Sequence, residues 1–94
     1  MQNPNHLPKH SVPVRVTLIN DSHIFGVVYV RQGQRILDML CDDRKFFPVR
    51  ANSGVSLLNK SSVMQVDVMT IDDVELKGQL FPDVDKKYLE NNAW

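Results

Sequence analysis

The 94-residue chain lacks several features that mark particular classes of protein. It has one cysteine, Cys41, which cannot form an internal disulfide and supplies no pair of zinc ligands. A reducing compartment, and hence a cytoplasmic protein, is therefore expected. No apolar run approaches the roughly 18 residues of a membrane span, and the first residues lack the apolar segment of a signal peptide. We predict no association with a membrane.

A net charge is also lacking, because eleven basic and eleven acidic side chains balance. This total does not indicate a nucleic-acid partner. The charges are unevenly distributed, since residues 70–94 carry six acidic side chains and three lysines, which leaves the preceding part mildly basic. A chain of this length has room for one domain with a small core.

The N-terminal third predicts a flexible segment followed by a strand. Residues 1–11 contain two prolines and no apolar period, so they are expected to form a flexible N-terminal lead-in. Residues 12–18 are apolar at every second position, which is the pattern of a half-buried strand. The turn-forming residues 20–22 then indicate a hairpin.

The second strand of this hairpin is predicted from His23 to Val30. Both of its faces are apolar, which indicates that each face is covered by other parts of the protein. Gly26 lies inside the strand, where glycine usually marks a bend or a close approach of two backbones.

A short helix is predicted after Gly33. Its apolar stripe consists of Ile36, Leu37, Leu40 and Cys41. A helix of about two turns is held by packing rather than by intrinsic propensity, so this stripe is expected to pack on the core. Arg35, Asp38 and Asp42 are expected on the solvent side, with Arg35 and Asp42 opposing the helix dipole at its two ends.

Three more strands follow the predicted helix. Residues 46–51 alternate, and Pro48, which has no N–H group, predicts an edge strand or a bulge there. Residues 55–58 and 63–69 form two strands or one long bent strand. In the last of these, the core face is expected to carry Met64, Val66 and Val68. The fold class is therefore mainly β, a small five-stranded bent antiparallel sheet or barrel with one short helix between strands 2 and 3.

The acidic C-terminal extension, residues 70–94, has a weaker pattern. We expect its apolar residues Val74, Leu76 and Leu80 to cover an edge of the sheet. A short helix is predicted to begin at Asp83. The extension also carries Phe81, Tyr88 and Trp94. Aromatic side chains in a polar tail are typical anchors for folding on a partner, and the alternative is that Phe81 and Tyr88 cover the open end of a barrel.

Residues 12–69 resemble the Sm-like small β-barrels. The resemblance to the first Sm motif rests on three consecutive pieces. These are the alternating residues Val14, Val16 and Leu18, a polar turn, and the glycine-containing strand His23–Val28. The second motif is echoed at residues 58–63, without its Arg-Gly pair. The helix also differs, since Sm proteins usually carry theirs before the first strand.

A closer similarity is to uncharacterised bacterial Sm-like domains. These show a glycine-containing strand, then a helix with the pattern Gly-Gln-Arg-x-Leu-Asp-x-Leu, and then a strand with Phe-Pro. Residues 33–40 and 46–49 match these pieces in order and spacing. The resemblance implies the fold and no particular function.

No residues form a catalytic constellation, and no cofactor is predicted. His6 and His10 have helical metal-ligand spacing, but Pro8 between them prevents that helix, so no metal site is predicted. Cys41 is expected to be a small core residue.

Two ligand hypotheses remain open. Arg31 and Arg35 have the spacing of the arginine motif with which PilZ domains bind cyclic di-GMP, although the companion motif is not in order at residues 52–56. Alternatively, a ring of subunits could bind RNA through loops carrying Asn59 and Lys60, together with Asn20. The candidate binding residues are therefore Arg31, Arg35, Asp38, Asp42, Asn59 and Lys60.

The main hypothesis is a non-enzymatic adaptor or regulatory module. It would act through a protein partner or through self-association, because small barrels commonly pair through strand edges. An Sm-type RNA-binding ring is the alternative, and a cyclic-dinucleotide sensor is the third hypothesis.

Overall fold

The computed structural model describes residues 9–77, 80–82, 84 and 89. Within these residues it has five strands, two short α-helices and one 3₁₀ turn. In chain order these are β1 (Lys9–Leu18), β2 (His23–Arg31), α1 (Ile36–Cys41), β3 (Phe46–Ala51), β4 (Gly54–Asn59), the 3₁₀ turn (Lys60–Ser62), β5 (Val63–Val68) and α2 (Ile71–Leu76). The mainly β fold and the helix between the second and third strands are confirmed.

The strands form one antiparallel sheet in the order β4-β3-β2-β1-β5. β4 and β5 lie at opposite ends of this order, although only the three-residue 3₁₀ turn joins them. So short a connection requires a strongly curled sheet whose two edges approach each other. Among the described residues β4 pairs only with β3, and β5 only with β1. The sheet is therefore bent but not closed into a barrel.

β1 begins at Lys9, inside the segment 1–11 that was expected to precede the sheet. It pairs with β2 from Lys9 opposite Arg31 to Thr17 opposite His23. The strand extends beyond its apolar period because a long β2 offers backbone partners, and backbone hydrogen bonds do not depend on side-chain alternation. Residues 1–8 of the predicted lead-in lie outside the described residues.

Both faces of the β1–β2 hairpin are covered. The main core contains Val12, Val14, Val16, Val28, Val30, Phe47 and Val49, all nearly inaccessible. Pro13 and Val27, opposite each other on the other face, are fully buried as well. On that face Phe25 packs edge to face against Phe81, with ring centroids 6.4 Å apart. The C-terminal extension therefore supplies the second cover that the apolar pattern of β2 predicts.

Gly26 lies where β3 passes close to β2. A Cβ atom at this position would lie 2.6 Å from the carbonyl oxygen of Arg50 and 2.8 Å from the side chain of Val49. Such distances are below van der Waals contact, so only glycine allows this approach. The predicted close approach of two backbones is confirmed.

The position of β3 corrects one prediction. β3 lies between β2 and β4, so Pro48 does not mark an edge strand. All of β3 pairs with β4, whereas its pairing with β2 is confined to Val27 opposite Arg50. The β2–β3 ladder is so short that the missing N–H group of Pro48 interrupts no extended row of hydrogen bonds.

Some apolar side chains of α1 and β5 also face differently from the prediction. In α1, Ile36 and Met39 are buried, whereas Leu37 is 52% exposed and Cys41 is exposed. Leu40 is half-buried and packs against the core, so Ile36 and Leu40 lie on their predicted side. The buried stripe is Ile36, Met39 and Leu40, at i, i+3 and i+4, so Met39 takes the place predicted for Leu37 and Cys41.

In β5, Met64 is 63% exposed instead of facing the core. The register with β1 passes from Thr17 opposite Gln65 to Leu18 opposite Val63, so Met64 is the extra residue of a bulge. Val66 and Val68 are half-buried, in agreement with their predicted side.

The second helix, α2, was not predicted. Thr70 caps it, because its hydroxyl accepts from the N–H of Asp73 while the Asp73 carboxylate accepts from the N–H of Thr70. Val74 is buried, but Leu76 and Leu80 are exposed and cover no edge. Most of the helix predicted from Asp83 lies outside the described residues.

Among the described residues, no helix is long and apolar enough to cross a membrane.

Candidate functional site

The predicted polar face of α1 is held together by a local ion pair. The guanidinium of Arg35 donates to both carboxylate oxygens of Asp38, at 2.9 and 3.2 Å. Asp38 also accepts from the backbone N–H of Arg35 at 3.0 Å, which caps the first turn of the helix. The side-chain hydrogen bond from Arg35 lowers the pKa of Asp38. Arg35 is thus paired locally, and its charge at the helix start is compensated.

Asp42 is the centre of a second cluster at the end of α1. Its carboxylate accepts from the guanidinium of Arg44 at 2.9 Å and from the ammonium of Lys60 at 2.7 Å. The hydrogen bonds from Arg44, and then from Lys60, hold the pKa of Asp42 well below its usual range. Lys60 also donates to the carbonyl oxygens of Met39 and Asp42. These bonds satisfy carbonyl groups at the helix C-terminus.

The loop residues considered for RNA binding also have structural partners. The side-chain oxygen of Asn59 accepts from the N–H and the hydroxyl of Ser61, at 2.9 and 2.8 Å, and so caps the 3₁₀ turn. Lys60 is only 17% exposed in its side chain. Asn59 and Lys60 are therefore adjacent, as predicted, but their described contacts hold the turn in place.

An apolar surface lies on the outer strand β4. Val55 and Leu57 are 61% and 68% exposed, and Phe46 of β3 is 51% exposed. Val55, Leu57 and Asn59 are at every second position of β4, so their side chains lie on one face. Phe46 is the cross-strand partner of Asn59 and therefore lies on that same face of the β3–β4 hairpin. We call Phe46, Val55 and Leu57 the β4 edge surface. Exposed apolar clusters of this kind mark interaction sites.

The other edge of the sheet, β5, carries an apolar groove. The groove has a volume of about 480 Å³ and lies between α1 and β5. We call it the β5 groove, and its lining consists of Ile36, Leu37, Leu40, Val66, Asp67 and Val68. Asp67 is paired with Arg15 at 3.0 Å, so the remaining lining is apolar. Both outer strands thus present apolar side chains beside backbone that no other described strand pairs with.

A third feature is a smaller cavity of about 140 Å³ between the start of β1, the end of β2 and the segment before β3. We call it the cationic pocket. It is lined by Lys9, Tyr29, Val30, Arg31, Gln34, Met39, Arg44 and Pro48. Three of these side chains are cationic and none is acidic.

Sequence reasoning placed Arg31 among the candidate residues but missed Lys9 and Arg44. Arg31 does not join Arg35, which pairs with Asp38. The hairpin register could have identified Lys9, since a turn at residues 20–22 places residue 9 opposite residue 31. No comparable signal identifies Arg44, because its position depends on how α1 returns the chain to β3.

The structure also gives the environments of Cys41 and Phe81. Cys41 is exposed and is not a core residue. Phe81 is buried against Phe25 instead of being presented to a partner, in agreement with the covering alternative for that residue. Tyr88 and Trp94, the other proposed anchors, lie outside the described residues.

Within the described part of the chain, no cluster of three or more histidine, cysteine or acidic side chains could hold a metal ion.

No protein-family model matches the chain, and no curated protein or solved structure shows significant similarity to it.

Proposed function

We propose that the protein is a non-enzymatic small β module that self-associates through the edges of its sheet. The observation that carries this proposal is the β4 edge surface, where Phe46, Val55 and Leu57 are all more than half exposed beside a strand edge that pairs with no other strand in the described part of the chain. An exposed apolar edge strand is a template for pairing with another chain, and monomeric proteins usually protect such strands with charge, proline or a cover. No charged side chain lies within β4, whose sequence is GVSLLN.

A second copy of the chain is the occupant that the two edges favour. β5 is also unpaired on its outer side among the described residues, and the β5 groove adds exposed apolar surface next to it. Pairing β4 of one copy with β5 of the next would continue the sheet and cover both apolar surfaces.

Substitution at the edge tests this proposal. Leu57→Lys places a charge on the β4 edge surface, and Leu76→Lys makes the same change at a more exposed position on α2, outside the sheet. Molar mass is measured by light scattering after size exclusion at several protein concentrations. We expect an oligomer for the unmodified chain and for L76K, and a smaller species for L57K. A chain that is monomeric at every concentration, or an L57K variant that assembles normally, contradicts self-association.

The two ligand hypotheses have weaker support. An RNA-binding ring would use Asn59 and Lys60, whose described contacts are structural, and a cyclic-dinucleotide clamp would need Arg35, which is paired with Asp38. Binding of a short RNA that weakens steeply with salt would favour the ring. A rise in Tm with cyclic di-GMP would favour the sensor.

A further inference from the structure

We propose that the cationic pocket binds the phosphate group of a small phosphorylated molecule. This inference goes beyond the proposed function, because the pocket does not include any residue of the β4 edge surface or the β5 groove. It depends on the charges of the lining, on the strand register that places them together, and on the size of the cavity.

Two like charges lie opposite each other in the lining of the cationic pocket. Lys9 and Arg31 are direct partners in the antiparallel β1–β2 ladder, so their side chains project from the same face. The Cβ atoms of such partners lie about 4.5–5.5 Å apart, and like charges at this spacing destabilise a sheet. Neither side chain forms an ion pair or a hydrogen bond with any other described side chain. An anion bound between them would remove the repulsion.

Arg44 adds a third cation from a different part of the chain. Its Nε and Nη2 atoms donate to Oδ2 of Asp42, at 3.1 and 2.9 Å. A guanidinium has five N–H donors, so the donors on Nη1 stay available for a ligand while Asp42 fixes the plane of the group. Asp42 is itself shared with Lys60, which anchors it to the β4–β5 turn. Arg44 is therefore held in position by a carboxylate that does not line the pocket.

The size and charge of the site favour a phosphate monoester over a polymer. A phosphate monoester carries a charge of about −1.5 to −2 at pH 7, which suits several cations around one point. Each phosphodiester of RNA carries a single charge, and RNA is usually bound along an extended basic groove. A cavity of about 140 Å³ accommodates a phosphate with a small organic group. Tyr29 and Pro48 supply apolar lining for that group.

The experiment measures ligand-induced stabilisation of the full chain. Tm is recorded with increasing inorganic phosphate, glycerol 3-phosphate and sodium chloride at matched ionic strength. We expect both phosphate compounds to raise Tm in a saturable manner and chloride to have no such effect. Glycerol 3-phosphate is expected to bind at least as tightly as inorganic phosphate.

Variants distinguish the pocket from general surface charge. Arg31→Gln and Lys9→Gln are expected to weaken phosphate binding by about tenfold, because each removes a charge-assisted contact. Without ligand, both variants are expected to melt at the same temperature as the unmodified chain or higher, because the Lys9–Arg31 repulsion is lost. The control is Lys45→Gln, which removes an exposed cation next to Arg44 but outside the pocket lining. It should bind phosphate normally.

Several outcomes overturn the proposal. If phosphate raises Tm no more than chloride does, the cationic pocket is not a phosphate site. The same follows if R31Q and K9Q bind phosphate as tightly as the unmodified chain. If inorganic phosphate raises Tm and glycerol 3-phosphate does not, the site does not bind a phosphate monoester. A ribo-oligonucleotide that binds more tightly than the ester, with a steep salt dependence, would identify the site as a contact for RNA backbone.

The result is independent of self-association. Val55→Lys charges the same β4 edge surface at a position opposite Arg50, which does not line the pocket, so this variant is expected to keep its phosphate response.

Discussion

The ammonium group of Lys60 lies 2.7 Å from the carboxylate of Asp42, and this contact joins the turn between β4 and β5 to the end of α1. Lys60 also donates to two carbonyl oxygens of the helix terminus. A lysine that resembles an RNA-binding residue by its place in a loop therefore serves as a helix cap. The contact also compensates the acidic charge at the C-terminal end of α1, which the helix dipole by itself would disfavour.

Replacement of Lys60 tests this role. Lys60→Met keeps the apolar stem and removes the donors to Met39 and Asp42, so we expect the free energy of unfolding to fall by about 1–3 kcal/mol. The measurement is chemical denaturation at neutral pH. Lys45→Met is the control, because Lys45 is exposed and its side chain has no described partner. An unchanged stability for K60M would show that the helix end does not need this cap.

Acid should destabilise the protein through its paired carboxylates. The pKa is lowered by hydrogen bonding at Asp38, Asp42, Asp67 and Asp73. A carboxyl with a lowered folded-state pKa stabilises the fold above its ordinary pKa, near 4, and this contribution is lost as pH falls through the folded-state value. We expect constant stability between about pH 7 and 5 and a steady decline below about pH 4.

Asp42→Asn provides the matched comparison for the acid effect. It should be less stable than the unmodified chain at neutral pH, because the charge that pairs with Arg44 and Lys60 is gone. It should also lose less stability on acidification. Parallel curves of unfolding free energy against pH for the two proteins would contradict the assignment of the decline to Asp42.

Substitutions at two glycines should lower the free energy of unfolding by different amounts. Gly26→Ala places a methyl group 2.6 Å from the Arg50 carbonyl oxygen, so β3 must move away, and we expect a loss of at least about 2 kcal/mol. Gly33→Ala meets no atom within 4 Å and has only the strain of a positive φ, which costs about 1 kcal/mol. Thermal or chemical unfolding measures both. An equal loss for the two variants would argue against a close strand crossing at Gly26.

The cover of the β1–β2 hairpin can be tested at Phe81. Its ring is buried against Phe25, so Phe81→Ala is expected to destabilise the protein by about 3 kcal/mol. The neighbouring residue Leu80 is 41% exposed, and Leu80→Ala should cost under about 1 kcal/mol. If F81A were as stable as L80A, the C-terminal extension would not be part of the folded core.

Cys41 should react quickly with a thiol reagent in the native protein. Its side chain is exposed, whereas a core cysteine would react only after unfolding. Ellman's reagent added with and without denaturant compares the two states. Cys41→Ser is expected to change the free energy of unfolding by less than about 0.5 kcal/mol. Slow labelling in the native state would place Cys41 inside the fold.

The parts of the fold that follow from local pattern could be predicted. Period-two alternation identifies the β1–β2 hairpin, and residues 46–51 coincide with β3. The exposed side of Met64 could not be predicted, because it results from a bulge in the pairing of β5 with β1. Such a bulge depends on the register between strands about 50 residues apart along the chain.

In the candidate sites, too, single residues could be predicted from the local sequence, but their neighbours could not. Arg31 was identified from a local arginine spacing, but the partner it meets, Lys9, is brought there by the register of the hairpin. The β4 edge surface could not be recognised from its apolar residues. Val55 and Leu57 have the pattern of core positions, and only the sheet order shows that they lie on an outer strand where no described residue buries them. Burial is a property of the assembled sheet rather than of the local sequence.

The two edges of the bent sheet differ, and this difference limits how copies can assemble. Contact between unlike edges is head-to-tail, so each added subunit leaves one edge of each kind free. Growth then ends only when the rotation between subunits closes a ring, and otherwise continues as a filament. Contact between like edges is symmetric and uses up that edge in a dimer. The subunit count of the assembly would therefore reveal which strands meet.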